Sequence, residues 1–375
     1  MAGHIAFSFA VIGRHKELIS QNIIRYALRR VLRLPCSSLD AMASRVWEHT
    51  PGGTETVEPI VLMPGSLERV VSGPRDLGTP IPREAVIGHA VSCELKLSPT
   101  TLYEIRDALV SRGSIYARGH RYPLRWNPVR ESLRGAVETI DEAVLVGSMR
   151  GSYFFGDWIM DDCAQQLLAE SLGPEVIDIV RPMYKHEPGY RELLELCAPR
   201  QVEDTLVRRL TVIVDGGASI DQRRRIAMLR ERLRKNLGPL PPFHCGVYVD
   251  RGVTGARRSL VNKDVVTARL KERGFSVIEP EKLTSRQVAT ALATAKFVMG
   301  VEGSHLSPGV VSVSTGSTVI ELHPANRFYP CRRSYLDAFG IKYAVLVCPH
   351  LNEAEFEARL DELDGLIELC GQRTE

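Results

Sequence analysis

The sequence predicts an α/β fold whose C-terminal half is a doubly wound parallel sheet. From about residue 208 onward, short apolar runs typical of buried strands alternate with amphipathic stretches typical of helices. The connections are short, and strands that alternate with helices in this way pair in parallel, with helices on both faces of the sheet. About six strands are expected, which is the size of a Rossmann-like domain.

The elements of this half follow one another in a regular order. Gly238 and Gly274 are expected to end two of the helices, because glycine readily adopts the left-handed conformation found there. Asn262 and Ser285 stand where N-cap residues are expected. The predicted strands lie at residues 210–215, 244–250, 275–280, 297–301, 318–322 and 342–347, and the predicted helices at 221–238, 262–274, 285–296 and 331–340.

The N-terminal part has a different pattern. Up to about residue 145 it shows short β-like runs, many prolines and few clean helices. We therefore predict an N-terminal domain over residues 1–205, a Rossmann-like domain over 206–348, and a C-terminal acidic helix over 349–375 that packs back across the body. Residues 15–35 predict a basic amphipathic helix, for which ordinary packing is favoured over peripheral contact with a membrane.

The composition is ordinary for a globular protein in water. Hydrophobic residues make up 44% and charged residues 25%, and a net charge of +3 gives no global indication of nucleic-acid binding. The eight cysteines show no C-x-x-C spacing, which suits free thiols in a reducing cytoplasm. The apolar runs are much shorter than a membrane span, and the N-terminus is not interpreted as a signal peptide. A cytoplasmic location is expected, with the inner face of the membrane as an open alternative.

Polar loops follow the predicted strands at the edge where open parallel sheets bind ligands. They cover residues 214–219, 249–258 and 301–309, together with the turn after Glu279. The glycine pair of the first loop either makes a tight turn or allows a phosphate to approach the backbone, and the sequence leaves both alternatives open.

Arg251, Arg257 and Arg258 stand on the second loop. Three guanidinium groups match an anionic diphosphate in charge and geometry, although solvated side chains are the simpler alternative. Ser307 and Pro308 predict a helix start that would direct N–H groups into the same crevice.

Glu321 ends a predicted strand at the same edge, where a carboxylate can accept hydrogen bonds from ribose hydroxyls. The sequence contains neither G-x-G-x-x-G after a strand nor G-x-x-x-x-G-K-[ST], which disfavours dehydrogenases and P-loop NTPases. It also lacks a D-x-D carboxylate pair that would hold a metal on a diphosphate. The arginines therefore predict a diphosphate site that needs no metal.

Several blocks of the sequence, within about residues 145–348, resemble glycosyltransferase family 61. The most specific is the arginine block VYVDRGVTGARRSLVN, which carries Arg251, Arg258 and Asn262. The run RGFSVIEPEKLTSRQVATALATAKFVMG follows it and resembles the next block of the family.

Three shorter blocks complete the resemblance. The H-G-A-G-L block of the family corresponds to EGSHL at 302–306, its closing block to GSTVIEL at 316–322, and its H-x-[FL]-x-D block to YFFGD at 153–157. The chain departs from the family at both histidines, which are replaced by Glu302 and Tyr153.

The resemblance implies two facing Rossmann-like domains of the GT-B type, with the acceptor on residues 1–205 and a nucleotide sugar on 206–348. It implies inverting, metal-independent transfer of a sugar from a UDP-linked or other nucleotide-sugar co-substrate to a glycan, polysaccharide or lipid-linked acceptor. A bacterial capsular or exopolysaccharide enzyme is the expected branch. The replaced histidines keep open the alternative of a catalytically inactive protein that binds sugar nucleotides or glycans, and nucleic-acid binding is disfavoured.

An inverting displacement needs a base for the acceptor hydroxyl and positive charge for the leaving diphosphate. The resemblance implies Asp157 as the leading base, and Glu302 and Asp161 are the second and third candidates. For Asp161, the polar face of a helix is the favoured explanation.

The EGSHL block supplies further candidates for the donor site. Gly303, Ser304 and Ser307 are expected to contact the donor, and His305 either donates to the diphosphate or fills a polar pocket. Because Glu302 would repel phosphates, we hypothesise that it pairs with His305 and raises the pKa of that imidazole.

Overall fold

A computed structural model describes residues 21–34, 37–76, 79–125, 137–252 and 257–372. Contacts divide the chain into two compact units. Unit 1 comprises Met1–Gly52, Ser98–Met183 and Leu196–Arg225, and unit 2 comprises Gly53–Leu97, Tyr184–Glu195 and Ile226–Glu375.

Twenty strands occur in the described residues. They are β1 Arg45–Thr50, β2 Gly53–Thr56, β3 Val61–Leu62, β4 Arg75–Asp76, β5 Thr79–Pro80, β6 Glu94–Leu97, β7 Thr100–Ser111, β8 Ser114–Ala117, β9 His120–Pro123, β10 Glu138–Leu145, β11 Glu175–Ile179, β12 Arg200–Val202, β13 Thr205–Val214, β14 His244–Val249, β15 Ser259–Leu260, β16 Phe275–Ile278, β17 Ala295–Val301, β18 Thr318–Pro324, β19 Lys342–Cys348 and β20 Glu355–Phe356.

The α-helices of the same residues are α1 at 21–31, α2 Leu39–Met42, α3 Arg83–Val91, α4 Phe155–Asp157, α5 Cys163–Leu172, α6 Glu187–Leu193, α7 Ile220–Leu237, α8 Lys263–Glu272, α9 Ser285–Ala293, α10 Pro308–Ser312, α11 Arg333–Leu336 and α12 Leu360–Gln372. A π-helical turn, Trp158–Asp162, joins α4 to α5. Short 3₁₀ turns lie at Ser66–Arg69, Pro280–Lys282, Ser304–Leu306, Ala325–Arg327 and Asp337–Phe339.

Unit 1 is built on an eight-stranded mixed sheet with the order β12-β11-β10-β13-β7-β8-β9, in which β1 also pairs with β7. The strands β10 to β13 run parallel where they pair, whereas β1, β7, β8 and β9 pair in antiparallel fashion. Alternate residues of β10 face two different apolar clusters, Ala143 with Leu210 on one side and Val144 with Leu168 of α5 on the other. Only the parallel part of this sheet resembles the Rossmann-like half predicted for the N-terminal domain.

Unit 2 contains the predicted parallel sheet. Its six strands have the order β16-β14-β17-β18-β19-β3, and every pair is parallel. One face carries a buried cluster in which Phe297, Ile320 and Leu346 of the strands meet Leu270 of α8 and Leu366 of α12. The C-terminal helix therefore packs on the sheet of its own unit.

Five of the six predicted strands form this sheet, and the sixth does not. Residues 210–214 are the end of β13, which pairs with β10 and β7 of unit 1. The sixth place is taken by β3, a strand of two residues next to β19. An apolar run identifies a strand but not its partners, and for this reason the predicted boundary at 205/206 falls inside the sheet of unit 1 rather than between the two units.

The predicted helix ends are confirmed at the glycines and differ at the caps. Gly238 and Gly274 follow α7 and α8 with φ of 72° and 82°. Asn262 precedes α8, but its side chain bonds the backbone N–H and carbonyl of Ala358 instead of capping the helix. The cap of α9 is Thr284, in a capping box with Gln287, and Ser285 is the first helical residue.

The predicted basic helix at 15–35 lies partly outside the described residues, and its described part forms α1. No helix within the described ranges is long and apolar enough to cross a bilayer. Cys93, Cys245 and Cys348 are free thiols.

Candidate functional site

Three neighbouring strands of unit 2 position the site. In the order β14-β17-β18 the strands are parallel, so their carboxyl ends meet at one edge of the sheet. Arg251 follows β14, Glu302 follows β17, and Arg327 follows β18 in a 3₁₀ turn. Each loop thus brings one charged side chain to the same edge, where ligands bind in open parallel sheets.

Glu302 is the centre of this cluster. Arg258 Nε lies 2.7 Å from its carboxylate Oε1, and Arg327 Nε donates to the same oxygen at 2.9 Å. Its backbone carbonyl accepts from Nη1 of Arg251 at 2.9 Å and from Nη1 of Arg258 at 3.1 Å. Three guanidinium groups therefore surround one residue.

Gly303 allows this close approach. Its φ is 153°, and a Cβ at this position would clash with Nη1 of Arg251. Any other residue here would push the arginine away from the backbone that it binds, which explains why glycine is required.

A second arginine–glutamate pair lies deeper in the same unit. Arg332 Nη1 donates to Glu321 Oε1 at 2.6 Å, and Nη2 donates to Gly303 O at 2.5 Å and to Ser307 Oγ at 2.9 Å. Glu321 Oε2 accepts from the Tyr343 hydroxyl and contacts His323 Nε2, both at 2.9 Å. Both oxygens of Glu321 are thus engaged inside the protein.

The electrostatics of the two glutamates agree with these contacts. Burial acts to raise the pKa of Glu302, but the charges of Arg258, His323 and Arg327 outweigh it and lower that pKa. Burial acts in the same direction on Glu321, and Arg332 with the hydrogen bonds of His323 and Tyr343 lowers the pKa of Glu321 to about 2. Both carboxylates are ionised at neutral pH.

His305 occupies the 3₁₀ turn beside them. Its Nε2 is buried and has no hydrogen-bond partner within the described part of the chain. Burial, together with the charges of Arg251 and Arg332, lowers the pKa of His305 well below its usual value. The imidazole is therefore neutral, and the hypothesis of a Glu302–His305 ion pair is wrong, because the carboxylate pairs with arginines instead.

Other predicted donor contacts have structural roles. Ser307 is fully buried and accepts from Arg332 without capping α10. Asn262 binds Ala358. Glu321 is fully buried, so the expected ribose contact does not fit this arrangement. Ser304 is half-buried at the start of its 3₁₀ turn, and Gly303 contributes its carbonyl to Arg332.

Asp157 and Asp161 belong to unit 1. Asp157 is the last residue of α4, is 14% exposed, and accepts a hydrogen bond from Arg150 Nε at 2.9 Å. Asp161 lies in the π-helical turn and accepts from Gln222 Nε2 at 2.7 Å. Single π turns inside α-helices occur frequently at functional sites.

The next aspartate in the same turn is strongly perturbed. Asp162 accepts from Ser148 N at 3.1 Å, and its carboxyl fills the space where a Cβ of Gly151 would lie. Burial, followed by the charges of Asp178 and Asp161, raises the pKa of Asp162 well above its usual value. Its role is to close the loop after β10 onto the helix.

Sequence reasoning missed Arg327, Arg332, His323 and Tyr343. The order of the strands indicates where Arg327 and Arg332 lie, because the loop after β18 begins at the same edge of the sheet as the loops after β14 and β17. Arg257, which was predicted beside Arg258, is exposed. No group of three or more His, Cys, Asp or Glu side chains that could hold a metal occurs in the described ranges.

Comparison with known proteins gives one informative match. Residues 155–320 match the family model described as Glycosyltransferase 61. A search of curated proteins found no match. Among solved structures, the metal-soaked Flv1 flavodiiron core from Synechocystis sp. PCC6803 is similar at 12% identity over 73% of this chain. Its TM-score is 0.22 and the chain covers 62% of its length, so this similarity carries no argument.

The matched segment includes Glu302 and the loop after β14 that carries Arg251 and Arg258, which we call the arginine loop. It ends just before Glu321. The match extends over less than half of the 375 residues. It supports a transferase, and the chain is accordingly identified, over residues 155–320, as similar to glycosyltransferase family 61.

Proposed function

We propose that the chain is an inverting, metal-independent glycosyltransferase that moves a sugar from a UDP-linked donor to a glycan, polysaccharide or lipid-linked acceptor. The observation that carries the proposal is the convergence of Arg251, Arg258 and Arg327 around Glu302 at the carboxyl edge of the parallel sheet. All three arginine residues are partly exposed. The family match over residues 155–320, which includes Arg251, Arg258 and Glu302 but not Arg327, supports glycosyltransferase activity.

The proposed chemistry follows from the charges of this edge. As the bond between the sugar and the diphosphate breaks, negative charge grows on the leaving phosphate, and arginines already fixed in place stabilise it without reorganisation. With His305 neutral, positive charge at this edge comes from the arginines. His305 remains a candidate hydrogen-bond donor through its unpartnered Nε2.

Asp157 is the proposed base for the acceptor hydroxyl, followed by Glu302 and Asp161. The contact with Arg150 Nε at 2.9 Å orients the carboxylate of Asp157, and a base must be held in a fixed orientation towards its substrate. Glu302 is the weaker candidate, since two arginines already engage its carboxylate. The GT-B arrangement belongs to the same proposal, with the acceptor on unit 1 and the donor on unit 2, because the sheet of unit 1 extends past the predicted boundary between 1–205 and 206–348. A cytoplasmic enzyme of capsular polysaccharide synthesis is proposed with it.

A screen of nucleotide sugars tests the proposal. The purified chain is incubated with a panel of UDP-, GDP- and dTDP-sugars, and both the thermal shift and the release of nucleoside diphosphate are recorded. At least one donor is expected to raise Tm and to be turned over. If no nucleotide sugar binds, the proposal is wrong.

A sugar-nucleotide-binding protein without catalytic activity is the second candidate. Glu302 replaces the family histidine and is tied to two arginines, which favours this alternative. Donor hydrolysis separates the two functions: a binder shifts Tm with a nucleotide sugar but releases no nucleoside diphosphate, even with a mixture of glycan acceptors.

A further inference from the structure

The Nε atoms of Arg258 and Arg327 lie close to one carboxylate oxygen, and only the Nε of Arg327 makes a hydrogen bond with it. The distances to Glu302 Oε1 are 2.7 Å and 2.9 Å. Arg258 comes from the loop after β14 and Arg327 from the turn after β18, so the two cations are brought together only by the fold. Two guanidinium groups that share one anionic oxygen form a ready-made site for a phosphate oxygen.

The accessibility of this pair distinguishes it from a structural ion pair. The side chains of Glu302 and Arg327 are 16% and 36% exposed, whereas those of Glu321 and Arg332 are 0% and 4% exposed. Among the described residues, Arg327 makes a single hydrogen bond, from Nε to Glu302. Its terminal nitrogens are therefore available to a ligand that arrives from solvent.

The charges of the cluster are not balanced. Within the described part of the chain, the ion pairs of Arg258, Arg327 and Arg332 lead to only two carboxylates, those of Glu302 and Glu321. With His305 neutral, positive charge is in excess around these groups. Burial lowers the pKa of Arg258 to about 10, so this guanidinium gains from any further anion that it can contact.

We propose that Arg258 and Arg327 form a phosphate-binding pair for the donor, and that the carboxylate of Glu302 occupies this pair as an internal competitor that the donor displaces. The inference rests on the proposed function and adds Arg327 as a binding residue. It also assigns to Glu302 a role opposed to binding, rather than a role as base.

The exchange requires little rearrangement. The backbone carbonyl of Glu302 is held by Arg251 and Arg258 through Nη1, independently of the carboxylate. The side chain can thus leave the pair while the loop stays in place. A phosphate then takes over the hydrogen bond of Arg327 Nε and the ionic contact with the Arg258 guanidinium, and the cations keep an anionic partner throughout.

The test measures binding of UDP and of inorganic pyrophosphate by calorimetry. Glu302→Gln keeps the shape of the side chain and removes its charge. This variant is therefore expected to bind UDP about tenfold more tightly than the wild-type protein does, a gain close to the strength of one charged hydrogen bond. Arg327→Gln is expected to weaken UDP binding about tenfold. In the double variant, the gain in affinity from Glu302→Gln should largely disappear, because Arg327, which the loss of the Glu302 charge makes available to UDP, has been replaced.

Glu281→Gln is the matched control. Glu281 is exposed and lies against the arginine loop, since a Cβ on Gly252 would come within 2.7 Å of its Oε1. The substitution removes the same charge near the same loop without touching the proposed pair. If it tightens UDP binding as much as Glu302→Gln does, general electrostatics explain the gain and the inference is wrong.

The remaining outcomes separate the inference from the proposed function. Weaker UDP binding by Glu302→Gln, or unchanged binding by Arg327→Gln, overturns the inference while donor turnover by the wild-type protein upholds the function. If pyrophosphate affinity rises in Glu302→Gln and falls in Arg327→Gln while no nucleotide binds, the phosphate-binding pair of Arg258 and Arg327 is supported and the proposed transferase function is wrong. If Glu302→Gln does not fold, Arg327→Gln decides alone, because its side chain is the most exposed of the three.

Discussion

Glu302 follows the end of β17 and Glu321 lies inside the neighbouring strand β18; both are bound by arginine, but their surroundings differ. The Glu321 group, with Arg332, His323 and Tyr343, is closed: both carboxylate oxygens of Glu321 are engaged by side chains in the interior. The Glu302 group, with Arg258 and Arg327, is open to solvent on one side. The same residue types therefore stabilise the fold in the Glu321 group and form a candidate binding surface in the Glu302 group. The difference between the two groups is how deeply their side chains are buried.

The largest expected effect comes from breaking the closed group. Arg332→Ala leaves Glu321 as a buried charge without its cation, and removing one partner of a buried pair typically costs about 3–5 kcal/mol of stability. Denaturant unfolding measures the loss. Arg327→Ala is the matched control in the open group, where about 1 kcal/mol or less is expected. Equal losses in both variants would mean that the two groups do not differ as described.

Acid tests the same difference without a large structural change. The folded-state pKa of Glu321 is about 2, below its usual value of 4.5, so its ionised form stabilises the folded state. This contribution is fully present above pH 4.5 and is lost as the pH falls towards 2. It amounts to about 3 kcal/mol, from 1.36 kcal/mol for each pKa unit. Unfolding curves between pH 5 and 2 should show this loss in the wild-type protein and not in Glu321→Gln.

Binding tests the open group. Arg251→Ala and Arg258→Ala should each weaken binding of a UDP-sugar by about 1.5–3 kcal/mol, the range for hydrogen bonds to charged groups. Arg269→Ala, which removes from α8 a guanidinium bound to Asp364 of α12, should leave affinity unchanged. Calorimetry measures all three. Unchanged affinity in both loop variants would remove the arginine loop from the donor site.

The difference between the groups also explains what the sequence could and could not predict. The apolar runs identified β14, β16, β17, β18 and β19, because strands buried on both faces read as continuous apolar segments. The side chains of Glu321 and His323 lie on the same face of β18, and this follows from the period of two along a strand. The contact of Glu321 with Tyr343 cannot be predicted from the sequence, because it depends on the register of β18 and β19, in which Val319 lies opposite Tyr343.

The open group was only half predictable. The arginine loop after β14 was identified from its position and its resemblance to the family, but its partner on the loop after β18 was not. In the run ANRFYPCRR, Arg327 looks like an ordinary loop cation. Its contact with Glu302, on which the proposed binding role depends, is seen only in the fold, where the two side chains lie 2.9 Å apart. The pairing of Glu302 with His305, inferred from a spacing of three residues, failed because the buried imidazole is neutral beside arginines.

The smallest expected effect is that of metal removal, and it decides whether the open group is sufficient for catalysis. If Arg251, Arg258 and Arg327 supply the positive charge that the leaving diphosphate needs, a divalent cation has nothing to add. Donor turnover in EDTA should therefore equal turnover in the same buffer without chelator, and added Mg²⁺ or Mn²⁺ should not increase it. Arg258→Ala serves as the sensitised control, since a lost guanidinium is where metal assistance would first appear. Complete loss of activity in EDTA that Mn²⁺ restores would mean that a metal holds the diphosphate, and that the arginines around Glu302 only orient the loops.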